Sequence, residues 1–197
     1  MVSDLWLRAA TLEDIPTLVK HRRGMFEQMG LAEGTNHDPA GLDAMDVAYA
    51  PFARAGLADG RMRAWVIEDR GQVVASGAIL LVDWLPRPDG KRSVLAYVHS
   101  IYTEPEYRRI GLARRILQAV IDACRARGLP RITLHASDAG RHLYETLGFR
   151  PTNEMRLMLE PYFEVDAPES RKTAGDLECL LQPIGLLRKS VQPMCAL

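Results

Sequence analysis

Cysteine is scarce in this chain: Cys124, Cys179 and Cys195 are the only three in 197 residues. An odd count without metal-ligand spacing argues against a disulfide scaffold and a thiolate metal site, and favours a reducing compartment. Neither sign of charge is in excess, since 25 Lys and Arg balance 25 Asp and Glu. Nucleic-acid binders usually carry a basic surplus, so that class is set aside. There is no run of eighteen apolar residues, which excludes an ordinary transmembrane helix. The opening segment MVSDLWLRAATLED lacks the basic-then-apolar order of a secretory signal. These absences predict a cytoplasmic protein with no membrane, nucleic-acid or metal partner. The two common phosphate loops are missing as well. No G-x-x-x-x-G-K-[ST] occurs, and Gly111 lacks the glycine partners that G-x-G-x-x-G requires.

What is present is an ordinary globular composition, 47% apolar and 25% charged, in a length that suits one domain and a tail. The informative stretch is LAYVHSIYTEPEYRRIGLARRILQAVIDACRARG, residues 95–128. An apolar, aromatic-rich strand at 95–102 meets a Pro-containing loop at 103–107. The loop opens into a helix with apolar Leu112, Ala113, Ile116, Leu117, Val120, Ile121 and Cys124, the stripe of a helix with one buried face. A helix N-terminus presents unpaired N–H groups and the positive end of its dipole, which suits a phosphate or pyrophosphate. Gly111 permits close backbone approach, and Arg108 and Arg109 add fork-shaped donors.

The junction reads R-x-x-G-x-A from Arg108 to Ala113, and residues 143–149 read LYETLGF. Both segments resemble the GNAT superfamily of acetyl-CoA-dependent N-acetyltransferases, over about residues 5–160. The resemblance implies that Arg108, Arg109, Ile110, Gly111, Leu112 and Ala113 cradle the pyrophosphate of coenzyme A. It implies that main-chain groups of Ile101, Tyr102 and Thr103 point at the thioester, in a splay between the fourth and fifth strands. Tyr144 matches the tyrosine that faces the coenzyme sulfur, with a merely packed tyrosine as the other reading. Ser137 stands where an Asn often holds the pantetheine arm, but serine has a shorter reach and no amide donors. Gly140 replaces the usual alanine in the same helix, where interior glycine costs about 1 kcal/mol.

The base is open. This strand lacks the family's usual glutamate, and Tyr97 stands near its place. His99 lies two residues on, on the same strand face, and its ordinary pKa suits proton removal at neutral pH; water or Tyr97 are the alternatives. His21, His37, His135 and His142 are expected at surface or packing positions. Arg114 and Arg115 follow on the helix, where geometry lets only one face a ligand. Met25, Phe26 and Met29 fall where the family shapes its acceptor site.

The remaining segments read in order. A first strand is expected at 5–8, and Thr11-x-x-Asp14 is close to a capping box leading a helix through Ile15, Leu18 and Val19. Residues 30–39 read as a loop, and a second helix at 39–55 carries Pro51 as a kink or break. A hairpin at 64–69 and 73–84 turns at Arg70-Gly71, with a loop at 85–91. A short strand at 132–135, a helix at 138–147 and strands at Phe149 and 154–159 complete the domain. The fold class is α/β: a mixed, mostly antiparallel central sheet flanked by helices, in a domain of residues 1–164. Residues 165–197 form an extension that could dock through Leu180, Leu181, Ile184, Leu186 and Leu187. The expected activity is acetyl transfer from acetyl-CoA to a primary amine, small or on a protein, by direct attack in a ternary complex, in a monomer or homodimer. The alternative is a non-catalytic acyl-CoA-binding or regulatory module.

Overall fold

The computed structural model describes residues 5–33, 37–86, 88, 93–155 and 157. It divides into a compact unit of Met1–Glu154 and a second of Met155–Leu197. Only Met155 and Leu157 are described in the second unit, and both are exposed. The expected docking leucines therefore lie outside the described residues, as do Cys179, Cys195 and positions 156, 158 and 159.

In the first unit five strands form one sheet in sequence order: β1 (Trp6–Ala9), β2 (Met62–Asp69), β3 (Gln72–Trp84), β4 (Ser93–Thr103) and β5 (Ile132–Thr133). The first four pair antiparallel and β5 joins β4 in parallel. The α-helices are α1 (Ile15–Glu33), α2 (Pro39–Asp59), α3 (Leu112–Ala126) and α4 (Asp138–Thr146). This is the mixed, mostly antiparallel α/β sheet expected from the sequence.

Alternation along the strands builds a core on each face. On one face Met62, Ala64, Val66 and Ala78 pack with Leu18 of α1 and with Tyr49 and Ala53 of α2. On the other, Ile79, Ala96 and Val98 meet Leu117, Val120 and Cys124 of α3, and Ile67, Val74 and Ala75 meet Leu112 and Ile116. The α3 stripe read from the sequence is this buried face.

The start of α1 follows the expected capping box. Thr11 accepts from the Glu13 amide, and Asp14 accepts from the Thr11 amide at 2.7 Å. Arg8 fastens the same corner: Nη1 and Nη2 hold Asp14 at 2.7 and 2.8 Å, and Nε donates to Glu68 at 2.9 Å.

Besides strand ends that shift by about two residues, such as β5 stopping at Thr133, three boundaries differ from the sequence reading. Helix α1 runs through Gly30 to Glu33, because a single glycine costs too little to stop a packed helix. Helix α2 continues past Pro51 to Asp59, ending on left-handed Gly60. Pro51 removes the amide that would serve the Val47 carbonyl, and both residues are exposed, so water can take that place. Among the described residues, 149–155 and 157 form no strand. The Gly148 and Phe149 amides turn back onto the Glu145 and Tyr144 carbonyls, and Pro151 has no amide to give a ladder.

One irregularity shapes β4. Ser100 has φ +54, and the register with β3 shifts between Ser76 and Ala78. This is a bulge, with Ser100 and Ile101 against Gly77, and it inverts the alternation. Before it, Ala96 and Val98 face α3; after it, Ile101 does. Gly77 makes room for the Ile101 side chain: a Cβ there would lie 2.4 Å from Ile101 Cδ1 and 2.7 Å from Ile116 Cγ2.

Two histidines sit between the sheet and α1 and α2. His21 is fully buried, with Nδ1 2.8 Å from Ser76 Oγ and its ring 4.8 Å from Tyr102. His99 sets its ring edge-on to Tyr49 at 6.3 Å. Burial lowers the pKa of each to about 4, with Glu104 opposing the shift at His21 and Arg22 reinforcing it at His99. Below pH 6.5 the unfolded chain takes up protons that the folded chain refuses until about pH 4, so stability must fall across that interval. Urea denaturation at pH 7 and pH 4.5 should show a loss of about 2–3 kcal/mol per histidine. His99→Gln should lose its share of the dependence; an unchanged slope in that variant would mean His99 titrates normally.

Candidate acetyl-transfer site

The segment between β4 and α3 makes a tight passage. Glu104 donates its amide to the Val74 carbonyl, and residues Pro105–Tyr107 form one 3-10 turn. Tyr107 donates its hydroxyl to Asp69 at 2.8 Å, and Arg108 Nε donates to the Thr103 carbonyl at 3.1 Å. Arg109 and Gly111 both adopt left-handed backbone, φ 62 and 88. Gly111 is the N-cap of α3 and brings no side-chain cap, so the amides of the first turn keep their outward direction. A Cβ on Gly111 would have nothing within 4 Å, so its surroundings are open. Arg108, Arg109, Ile110 and Gly111 are exposed, while the Leu112 side chain is core and can contribute only its amide. Ala113 is half-buried beside it.

The two following arginines diverge. Arg114 Nη2 donates to Thr146 Oγ1 at 2.6 Å, tying the first turn of α3 to the last turn of α4, and Arg115 Nη2 donates to the Leu5 carbonyl at 3.1 Å.

The edge of β4 opens beside this turn. β5 pairs only at Ala96↔Ile132 and Tyr97↔Thr133, and β4 runs on through Thr103 beyond that pairing. Past Tyr97 the β5-side edge of β4 has no strand pairing among the described residues, and this is the stretch where the resemblance places the thioester. The side chains of Ile101 and Tyr102 are otherwise engaged. Ile101 packs under α3, and Tyr102 lies against α1 with its hydroxyl 3.2 Å from Gln28 Nε2. Thr103 Oγ1 is buried without a hydrogen-bond partner among the described residues. Any contribution of Ile101 and Tyr102 to a ligand on this edge is through the main chain.

Tyr144 and Ile101 border the same apolar cluster, that of Val98, Leu117 and Val120, which brings α4 to the open edge of β4. The Tyr144 ring is half-buried and meets Phe149 edge-on at 5.9 Å; burial raises the pKa of its phenol. Ser137 is the N-cap of α4 and accepts from the Gly140 amide at 3.3 Å, which leaves its O–H donor and one lone pair. Gly140 has a reason that its helix propensity hides. A Cβ there would lie 3.0 Å from Tyr144 Cε2 and 3.3 Å from Ser137 Oγ, so the glycine is the room the tyrosine ring occupies.

On the α1 and α2 face, β4 presents Tyr97, His99 and, through the bulge, Ser100. His135, expected to have no role, lies with Nδ1 2.7 Å from the Tyr97 hydroxyl and Nε2 3.2 Å from Glu154 Oε1. His99 Nδ1 is 3.1 Å from Ser100 Oγ, which also accepts from Arg22 Nη1 at 3.0 Å. Arg22 and Tyr49 were not singled out by the sequence. Lys20, Arg22 and Arg23 form one basic run, and only the packing separates Arg22 from its paired neighbours. Among the described residues, no group of three or more His, Cys, Asp or Glu could hold a metal ion, and no helix is long and apolar enough to cross a membrane.

Known proteins resemble this chain in sequence and fold. The chain is 29% identical over 112 residues to a glucosamine 6-phosphate N-acetyltransferase of Trypanosoma brucei brucei, covering 53% of this chain and 74% of that one. It is 27% identical over 146 residues to the uncharacterized N-acetyltransferase YjgM of Escherichia coli K12, covering 73% and 80%. Among solved structures, a GCN5-related N-acetyltransferase of Ralstonia eutropha superposes with a TM-score of 0.69 at 26% identity, over 79% of this chain and 98% of that one. A predicted acetyltransferase of Clostridium acetobutylicum, crystallised with acetyl-CoA, gives 0.69 at 27%, over 79% and 96%. Residues 28–149, from within α1 to the end of the LYETLGF segment, match the acetyltransferase (GNAT) family, and the chain belongs to it.

Proposed function

We propose that this protein transfers the acetyl group of acetyl-CoA to a primary amine by direct attack within a ternary complex. The observation that carries the reading is the N-terminus of α3, capped by a left-handed glycine without a side chain and placed beside an open strand edge. Its amides and dipole suit the pyrophosphate, with Arg108 and Arg109 able to add charge. Main-chain groups of Ile101–Thr103 on the open edge would orient the thioester carbonyl. As the amine nitrogen bonds to the carbonyl carbon, the carbon–sulfur bond breaks and the sulfur leaves as a thiolate beside Tyr144. A proton leaves the amine for His99 Nε2, which bears the lone pair when Nδ1–H is donated to Ser100. Cys124, buried and free, suits a reducing cytoplasm.

The pyrophosphate turn is tested by Gly111→Asp, with Gly111→Ala as the control for backbone strain alone. Both variants should stay folded, since a side chain there meets open space. The negative charge should abolish coenzyme A binding in calorimetry, at a cost of several kcal/mol, about the repulsion of close charges at an effective dielectric near 20. Undiminished affinity in Gly111→Asp would misplace the turn.

His99 is tested through its lowered pKa. With its pKa held near 4 the ring is neutral at pH 7 yet a weak base, so His99→Gln should slow turnover by about 10- to 100-fold. The acid limb of kcat/KM should stand near pH 4 in the unaltered protein and vanish in the variant. A limb that survives the substitution would return the role to water or Tyr97.

For Tyr144 the raised phenol pKa decides the role. An ordinary phenol near 10 would already pass its proton uphill to a thiolate near 8.5 by about 2 kcal/mol, and burial makes that steeper. The hydroxyl therefore acts as a hydrogen-bond donor to the developing thiolate, and its effect belongs in turnover. Tyr144→Phe should lower kcat about 10- to 1,000-fold with acetyl-CoA affinity nearly unchanged. A free-thiol assay over an amine panel measures this; full activity would leave Tyr144 a packing residue. Coenzyme binding without any thiol release, in the unaltered protein, would favour a non-catalytic acyl-CoA-binding module.

A further inference from the structure

Arg22 is a largely buried cation with no counter-charge among the described residues. Its neighbours on α1 are paired: Lys20 with Glu104 at 2.7 Å, and Arg23 with Asp46 at 2.7 Å and with Asp43. Arg8 shows the satisfied state of a guanidinium in this chain, with the Nε and Nη2 edge on Glu68 and the Nη1 and Nη2 edge on Asp14. Arg22 is held as firmly, but by neutral groups. Its guanidinium carbon lies 5.0 Å from the Phe26 ring centroid and 4.9 Å from that of Tyr49, and Nη1 donates to Ser100. Its Nε is buried with no partner among the described residues. Burial lowers its pKa, and the only groups opposing that shift are the phenols of Tyr49 and Tyr97.

Two more orphaned atoms surround the same serine. The Tyr49 hydroxyl is buried beside Ser100 without a well-formed hydrogen bond, and His99 Nε2 is buried with none. A buried guanidinium with no anion is unfavourable by itself, and three unsatisfied polar atoms in one patch are more than packing explains. The Nε and Nη2 edge has the fork geometry that takes a planar carboxylate through two parallel hydrogen bonds. A single unpaired cation matches one negative charge, which suits a carboxylate better than a phosphate dianion. His99 and Arg22 bond to the same Ser100 hydroxyl, so their unpartnered atoms belong to one patch, and a ligand meeting both would carry its carboxylate and its amine only a few bonds apart.

We propose that Arg22, sandwiched by Phe26 and Tyr49 at the β4 bulge, binds the carboxylate of the acceptor, and that the acceptor is a free amino acid. The inference rests on the acetyl-transfer reading for its consequence in turnover, but binding tests it separately. The probes are glycine, L-alanine, L-methionine, L-phenylalanine and L-glutamate, each beside its α-carboxamide, titrated calorimetrically into the protein saturated with coenzyme A. At least one amino acid should bind about 10- to 100-fold more tightly than its carboxamide, the scale of one charge-assisted bidentate contact. Arg22→Gln should reduce that ratio to within about threefold, and Arg22→Lys, which keeps charge but loses the fork, should fall between. Acetyl-CoA affinity serves as the check that the variants are folded. Equal binding of acids and carboxamides in the unaltered protein, no binding by any of the ten, or tighter binding of glucosamine 6-phosphate would each overturn the proposal. Binding as expected without thiol release would leave the Arg22 site standing and sink the acetyl-transfer reading instead.

Discussion

The bulge at Ser100 is the constraint on which the site depends. A regular β4 would carry one alternation from end to end, and Ile101 would then face α1 while Tyr102 faced α3. The extra residue inverts this halfway, so Tyr102 can stack on His21 and Ile101 can fill the space over Gly77. It also turns two successive side chains, His99 and Ser100, toward α1 and α2, where Arg22 and Tyr49 meet them. Left-handed backbone at a serine is unfavourable by about 1 kcal/mol or more. The packing on both faces holds it there.

The parts proposed to hold coenzyme A are joined mechanically. Arg114 crosses from the first turn of α3 to Thr146 at the end of α4, and the same apolar cluster underlies Ile101 and Tyr144. A ligand drawn to the α3 amides would therefore meet a strand edge and a tyrosine already placed by packing. Preorganisation of this kind is what lets hydrogen-bond donors act on developing charge without first rearranging.

Much of the fold was legible because it follows local rules. The α3 stripe, the capping box at Thr11 and the hairpin at Arg70-Gly71 each rest on period, spacing or turn chemistry. What escaped was set by contacts distant in sequence. Nothing near Ser100 announces a bulge, since Gly77 opposite it is what allows one. Lys20, Arg22 and Arg23 are alike in sequence, and only the packing gives Lys20 and Arg23 carboxylates while leaving Arg22 without one among the described residues. His135 gained its partner through the parallel placement of β5, whose two paired residues are too few to leave a pattern. At the far end, the described residues after Phe149 form no strand: the Gly148 and Phe149 amides turn back onto α4, and Pro151 has no amide to give.

Gly140 shows how a residue can look like a defect and be half of a pair. In isolation its replacement by alanine would favour the helix, and a comparison of propensities would count the change as an improvement. Here the added methyl contests the volume of the Tyr144 ring and the oxygen that caps the helix. The two positions are therefore not separable: the energy of a change at one is defined only for a given residue at the other. Substitutions along this helix must be reckoned jointly, because a side chain at 140 requires the ring at 144 to shift by a few tenths of an ångström.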